Sequence, residues 1–133
     1  MNTNELPVDP RAVRAYLGLI VFHVAHILEE VLGNFVVLRK LGLGPFLAVN
    51  WALLCLPVAV FYFWLLGRRW AYRMSVLYAG FMVLNGFVHI VMTLATGRYF
   101  DGYAGGFSGL GLAVWGMLLL AFILRKEPGC RLN

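Results

Sequence analysis

Four long apolar stretches, separated by short segments rich in glycine and basic residues, most constrain what this chain can fold into. A bilayer offers no hydrogen-bond partners to the backbone, so an apolar run of about 20 residues crosses it as a helix. Hydrophobic residues make up 62% of the 133 positions and charged residues only 13%, against about a quarter in soluble domains. We therefore predict an integral membrane protein of the all-α class, folded as a four-transmembrane-helix antiparallel bundle.

The limits of the bundle follow from local start and stop signals. Asp9 and Pro10 are typical of a helix N-cap followed by proline at the first helical position. Glycine with proline or arginine follows the apolar runs and indicates where the helices stop. We predict a polar N-terminal segment at 1–9, one transmembrane domain at 10–126 and a cytoplasmic tail at 127–133. The spans are expected at about 15–38, 46–66, 74–95 and 107–124.

The distribution of basic residues predicts the orientation and the partners. Eight of the 11 Lys and Arg residues fall on the side of the N-terminus, the second loop and the tail. The positive-inside rule therefore places both termini in the cytoplasm, and we expect the plasma (inner) membrane. Because these residues flank apolar runs, the net charge of +5 indicates the lipid bilayer as partner and no nucleic acid. Glycines four apart, at 102/106 and 105/109, would also allow a homodimer.

Polar residues inside the first apolar stretch predict a functional site. At 100° per residue, His23, His26, Glu30 and Asn34 fall within one arc of about 80°, with Glu29 at its edge. A carboxylate at this depth is costly, and such residues mark functional sites in membrane proteins. A buried network that only fixes helix packing is the alternative, but neutral polar side chains would provide it more cheaply.

Polar residues of two other spans are expected at the same depth. Asn85 and His89 are four residues apart and share a face of the third span, while Asn50 lies near the start of the second. At about 1.5 Å per residue, all of them reach the same half of the bilayer as the first-span stripe. The predicted catalytic residues are His26, Glu29, Glu30, Asn85 and His89, and the predicted supporting residues are His23, Asn34 and Asn50.

The residue types leave several kinds of chemistry open. His26, Glu30 and His89 could bind a single divalent transition metal such as zinc, iron or manganese. A di-iron site is disfavoured because it uses about four carboxylates, and the spans contain only two. Without a metal, a buried carboxyl group and a histidine could exchange protons with a hydrophobic substrate.

Two alternatives involve no reaction on a substrate. A small proton-coupled transporter could use Glu29 or Glu30 as its membrane-embedded carboxyl group. A haem-binding protein could use His23, His26 or His89 as axial ligands, although this would leave both glutamates without a role.

The segment His26-Ile27-Leu28-Glu29-Glu30 resembles the signature of the HXXEE-domain family of small integral membrane proteins. The likeness extends to the four-span layout and to an Asn-x-x-x-His motif, here Asn85 to His89, and covers residues 14–124. The resemblance implies an active-site role for the residues of both motifs. One departure is that relatives carry Tyr-x-Pro-Gly before the last span, whereas this chain has Tyr-Ala-Gly-Gly at 103–106.

Together, these features predict a membrane enzyme that acts on a lipid- or isoprenoid-like substrate. Metal-assisted or acid/base chemistry would make it a hydrolase, an isomerase or cyclase, or a metal-dependent oxidoreductase. The sequence does not choose among these reactions.

Overall fold

The computed structural model describes residues 8–99 and 106–125, which form five helices and no strand. Four of the helices are long and apolar enough to cross a membrane. The predicted all-α bundle is therefore confirmed, and these helices indicate an integral membrane protein. The helices are α1 (Pro10–Leu32), α2 (Val36–Leu41), α3 (Leu43–Leu65), α4 (Arg69–Thr96) and α5 (Gly106–Leu124). Apart from Val8 and Asp9, the predicted segments at 1–9 and 127–133 lie outside the described residues.

Local sequence signals explain where α1 begins and ends. The Asp9 carboxylate accepts a hydrogen bond of 2.9 Å from the backbone N–H of Arg11, and Pro10 occupies the first turn, as predicted. At the other end the helix stops at Leu32, before the limit of about 38 expected from the apolar run. The chain turns there because Asn34 adopts a left-handed conformation with φ of 52°, which asparagine tolerates better than most residues.

The four long helices form a closed ring in the order α1, α5, α4, α3. The α4–α5 and α1–α5 pairs are the most extensive, whereas α3 packs less closely against α4 and α1. Close approach of α4 and α5 depends on Gly86 and Gly109, since a Cβ on Gly86 would overlap the Gly109 carbonyl oxygen. Because α1 and α4 are not neighbours in this ring, they face each other across the centre of the bundle.

The distribution of side chains between the core and the outer surface fits a bilayer environment. The fully buried core includes Tyr16, Leu19, Leu112 and Leu119, while many large apolar side chains are exposed on the outer faces of the long helices. The described glycines of α5 pack inside the protomer against α4 and against Phe22 of α1. A homodimer built on glycine faces stays a prediction, and Gly102 and Gly105 lie outside the described residues.

Candidate functional site

Three buried ionisable side chains meet at the centre of the bundle. His26 and Glu30 are one turn apart on α1, and His89 reaches them from α4; their exposed fractions are 2%, 7% and 4%. Glu30 Oε1 lies 3.6 Å from Nε2 of His26 and 3.6 Å from Nε2 of His89. The two imidazole rings contact each other edge to face, with centroids 4.4 Å apart. Sequence reasoning placed these three residues at a common depth, and the structure brings them together.

The spacing of the three groups suits a metal ion better than a direct hydrogen bond. A separation of 3.6 Å exceeds the usual limit of about 3.2 Å for N–H···O hydrogen bonds. Two ligand atoms at about 2.0–2.1 Å from a tetrahedral metal lie about 3.3–3.4 Å apart. One ligand atom from each of the three side chains falls within 4.8 Å of the others. His26, Glu30 and His89 therefore could hold a metal ion.

Two further side chains fix the orientation of the His26 ring. The Asn85 amide Nδ2 donates to Nε2 at 3.1 Å, and Ser108 Oγ lies 2.9 Å from Nδ1. Because Nε2 accepts from Asn85, Nδ1 carries the ring proton and donates it to Ser108. This is the arrangement by which outer partners orient metal-binding histidines. A metal ion at Nε2 would take the place of the Asn85 amide proton.

Ser108 is the contact that sequence reasoning missed. It is 2% exposed and lies in the first turn of α5, between Gly106 and Gly109. A single serine among glycines shows no periodicity, so its contact with α1 is visible only in three dimensions. Its position near the start of the fourth apolar stretch was the one sequence feature that could have indicated a contact with the site.

Glu29 does not join the cluster, although it adjoins Glu30 in sequence. Consecutive residues point about 100° apart on a helix, and this rotation turns Glu29 towards α5. Its Oε2 accepts a 3.0 Å hydrogen bond from the Ser108 backbone N–H, and its Oε1 accepts from the Tyr99 hydroxyl. The Tyr99 oxygen in turn accepts a 3.0 Å bond from the Phe107 N–H. The structure therefore places Glu29 as a cap on the N-terminus of α5, where a carboxylate is favoured.

Partial desolvation and the neighbouring Glu29 carboxylate both raise the pKa of Tyr99. At neutral pH the Tyr99 hydroxyl thus remains a hydrogen-bond donor to the α5 cap.

The three predicted supporting residues have different positions. His23 is buried one turn below His26, and its Nδ1 lies 3.2 Å from the Tyr78 hydroxyl. Asn50 is half-buried and donates to the Phe46 carbonyl at 3.0 Å. Asn34 was expected on the same helix face as His26 and Glu30, and this is wrong, because its side chain is exposed beyond the end of α1. The left-handed turn removes it from the helical stripe.

A cavity of about 210 Å³ adjoins the cluster between α1, α2, α3 and α4. Glu30, His26 and Asn85 line it together with His23 and Asn50. The remaining lining side chains are apolar: Phe35, Val37, Leu41, Phe46, Val49, Leu53, Phe81 and Met82. A small or narrow hydrophobic molecule in this space would touch both the carboxyl group and the His26 ring.

No family model matches the chain, and no curated protein or solved structure matches it either.

Proposed function

We propose that this chain is a membrane-embedded enzyme that binds one divalent transition metal through His26, Glu30 and His89. Its substrate would be a hydrophobic, lipid- or isoprenoid-like molecule. The observation that carries the proposal is the convergence of three buried ligand side chains, from two helices, around one point beside a cavity. Ionisable groups inside a membrane are expensive and mark function. The resemblance to the HXXEE-domain family would give an active-site role to these three residues and also to Glu29 and Asn85.

The types of ligand side chain indicate which metals this site could bind. Two imidazoles and one carboxylate suit zinc, iron or manganese. Three protein ligands leave at least one coordination position for water or substrate, as in catalytic sites. A metal bound there would supply Lewis-acid catalysis or an activated water.

The chain's own residues would prepare this site in three ways. Ser108 holds the proton on His26 Nδ1 and so keeps Nε2 unprotonated, as a metal ligand atom must be. Asn85 lies beside the ligand atoms with an amide that can donate to a substrate oxygen. The apolar lining of the cavity limits the access of bulk water, which strengthens electrostatic interactions at the site.

A second candidate is acid/base catalysis without a metal. The 3.1 Å bond between Asn85 Nδ2 and His26 Nε2 favours it, because this bond occupies the nitrogen that a metal would need. Glu30 would then act as the proton donor or acceptor towards a molecule in the cavity, with His89 at 3.6 Å as its partner. Haem ligation is not favoured, since rings in edge contact at 4.4 Å leave no space for a macrocycle between them.

We also propose that both termini face the cytoplasm across a plasma membrane. Support comes from the positive-inside rule: the described basic residues at the end of the bundle containing the N-terminus are Arg11, Arg14, Arg68, Arg69, Arg73 and Arg125, and those at the other end are Arg39, Lys40 and Arg98. The candidate site would then lie in the outer half of the bilayer.

Elemental analysis of purified protein tests the metal directly. Wild type should carry close to one equivalent of transition metal, and Glu30→Gln and His89→Ala should lose it. Glu29→Gln is the matched control, because it removes the adjacent carboxylate that caps α5, and it should retain the metal. Equal metal content in all four proteins, or none in wild type reloaded with zinc, iron or manganese, would contradict the metal proposal.

Activity measurements then separate enzyme from transporter. An enzyme should turn over lipophilic substrates in detergent, where no proton gradient exists. A transporter based on Glu30 should show activity only in sealed vesicles with a gradient, and that result would replace the enzyme proposal.

A further inference from the structure

The cavity beside the cluster has two chemically different walls. The wall formed by α1 and α4 presents His26, Glu30 and Asn85, whereas the wall formed by α2 and α3 is dominated by aliphatic side chains. An occupant that satisfies both walls has a hydrocarbon part against α2 and α3 and a reactive part within reach of Glu30.

The aliphatic wall is open towards the bilayer. Its members Val37, Leu41, Val49 and Leu53, together with Phe81 on α4, line the cavity and are also 39–56% exposed. In a membrane their exposed sides face lipid, so a hydrocarbon chain can pass between the bilayer and the cavity without crossing water. The loose packing of α3 on its neighbours creates this side opening.

The size of the cavity limits its occupant to one chain. A volume of 210 Å³ holds about seven groups of methylene or water size, at ~30 Å³ each. Along the helix axis the cavity extends from Glu30 to His23, which is about 10 Å at 1.5 Å per residue. This space fits the first part of a single extended chain and excludes a lipid with two chains side by side.

Two cations are adjacent in sequence to a residue that lines the cavity. Arg39 and Lys40 occupy the last turn of α2, next to Leu41, which lines the cavity. Both side chains are exposed, and neither forms an ion pair with another described residue. They lie between the end of α1 and the start of α3, and a connection between two membrane-spanning helices is expected near the lipid headgroups. Arginine and lysine at this level favour an anionic headgroup.

We infer that the cavity binds a long-chain fatty acid, with the carboxylate at Arg39 and Lys40 and about the first seven carbons passing Glu30 and His26. This inference rests on the proposed function, because the bound fatty acid would be the substrate of the enzyme proposed above. It also locates the reaction on a carbon close to the carboxylate.

Photolabelling of chelator-treated protein in nanodiscs tests the binding separately from the metal. The probe is a long-chain fatty acid with a diazirine on an early carbon, and peptide mass spectrometry locates the label. We expect labelling concentrated at cavity residues such as Met82 and Phe46, and displaced by unlabelled oleate. Leu53→Trp should fill the opening and reduce this labelling about fivefold. The matched control is Leu56→Trp, which adds the same ring at an exposed position outside the cavity and should change nothing.

A variant that removes both cations tests whether they bind the carboxylate of the fatty acid. Arg39→Gln combined with Lys40→Gln should weaken competition by oleate about tenfold and leave competition by oleyl alcohol unchanged. The inference is overturned if label spreads evenly over lipid-facing positions, if both tryptophan variants behave alike, or if an isoprenyl phosphate displaces the probe better than oleate. Metal analysis on a portion of the same purified protein, taken before chelator treatment, separates the two proposals: label without metal retains only this one, and metal without label retains only the other.

Discussion

Replacing Gly86 with alanine should disrupt both the helix packing and the candidate site. A methyl group at this position would overlap the Gly109 carbonyl oxygen and lie 3.0 Å from the Ala113 amide nitrogen. Backbone atoms cannot rotate away as a flexible side chain can, so α4 and α5 must separate by roughly 1 Å. Ser108 lies on the displaced turn of α5, and its 2.9 Å contact with His26 would be broken.

The expected magnitude follows from three contributions. Overpacking costs about 1–3 kcal/mol, and loss of the buried hydrogen bond between Ser108 and His26 costs about 1 kcal/mol. The higher helix propensity of alanine offsets up to about 1 kcal/mol. Gly86→Ala should therefore lower the free energy of unfolding by about 1–4 kcal/mol. It should also weaken metal binding by about 10–100-fold, as loss of outer partners of a metal-binding histidine does.

Reversible unfolding in mixed micelles measures the stability change, and metal titration on the folded variant measures the change in affinity. Gly80→Ala provides the control on the same helix, because no atom lies within 4 Å of its added methyl group. This control should be neutral or stabilising by up to about 1 kcal/mol. If Gly86→Ala matches it in both stability and metal affinity, the close α4–α5 approach does not position Ser108 as described.

The other expected results concern the groups around the three ligands. Glu29→Ala should destabilise the protein by about 0.5–2 kcal/mol through loss of the α5 cap, with Glu29→Gln less affected; equal unfolding free energies for both variants and wild type would contradict the cap. Ser108→Ala should keep the fold but weaken metal affinity about 10–100-fold, as measured by competition with a chelator, whereas Ser108→Thr should retain most of it. Metal retention should fall as the pH is lowered, because the two histidines and the carboxylate must lose their protons to bind; a pH-independent affinity would exclude this ligand set.

Helical periodicity was sufficient to predict most of the geometry of the cluster. His26 and Glu30 are four residues apart on α1, and Asn85 and His89 are four residues apart on α4, so each pair shares a face. Positions along the spans then placed both pairs at the same depth, and the structure brings the four side chains into contact. This worked because both stretches are uninterrupted helices up to and beyond the polar residues.

Three details depended on information that periodicity does not contain. Asn34 was assigned to the stripe on the assumption that α1 continues, but the turn at Gly33 and Asn34 ends the helix first. Glu29 was predicted to be catalytic because it lies at the edge of the stripe, whereas its actual partner is the N-terminus of α5. Ser108 belongs to that same terminus. The last two could be predicted only from the position of α5 relative to α1, which is a long-range packing property.

The placement of the cluster on α1 and α4, with Ser108 on α5 beside it, has a consequence for biosynthesis. Within this bundle α1 is synthesised before the other helices, so its buried carboxylate reaches the membrane before the helices that contain His89 and Ser108 have been made. Until then only His26, one turn away on the same helix, can accompany Glu30. Stable insertion of α1 therefore depends on the last helices, and chains truncated before α5 should be targets of membrane quality control.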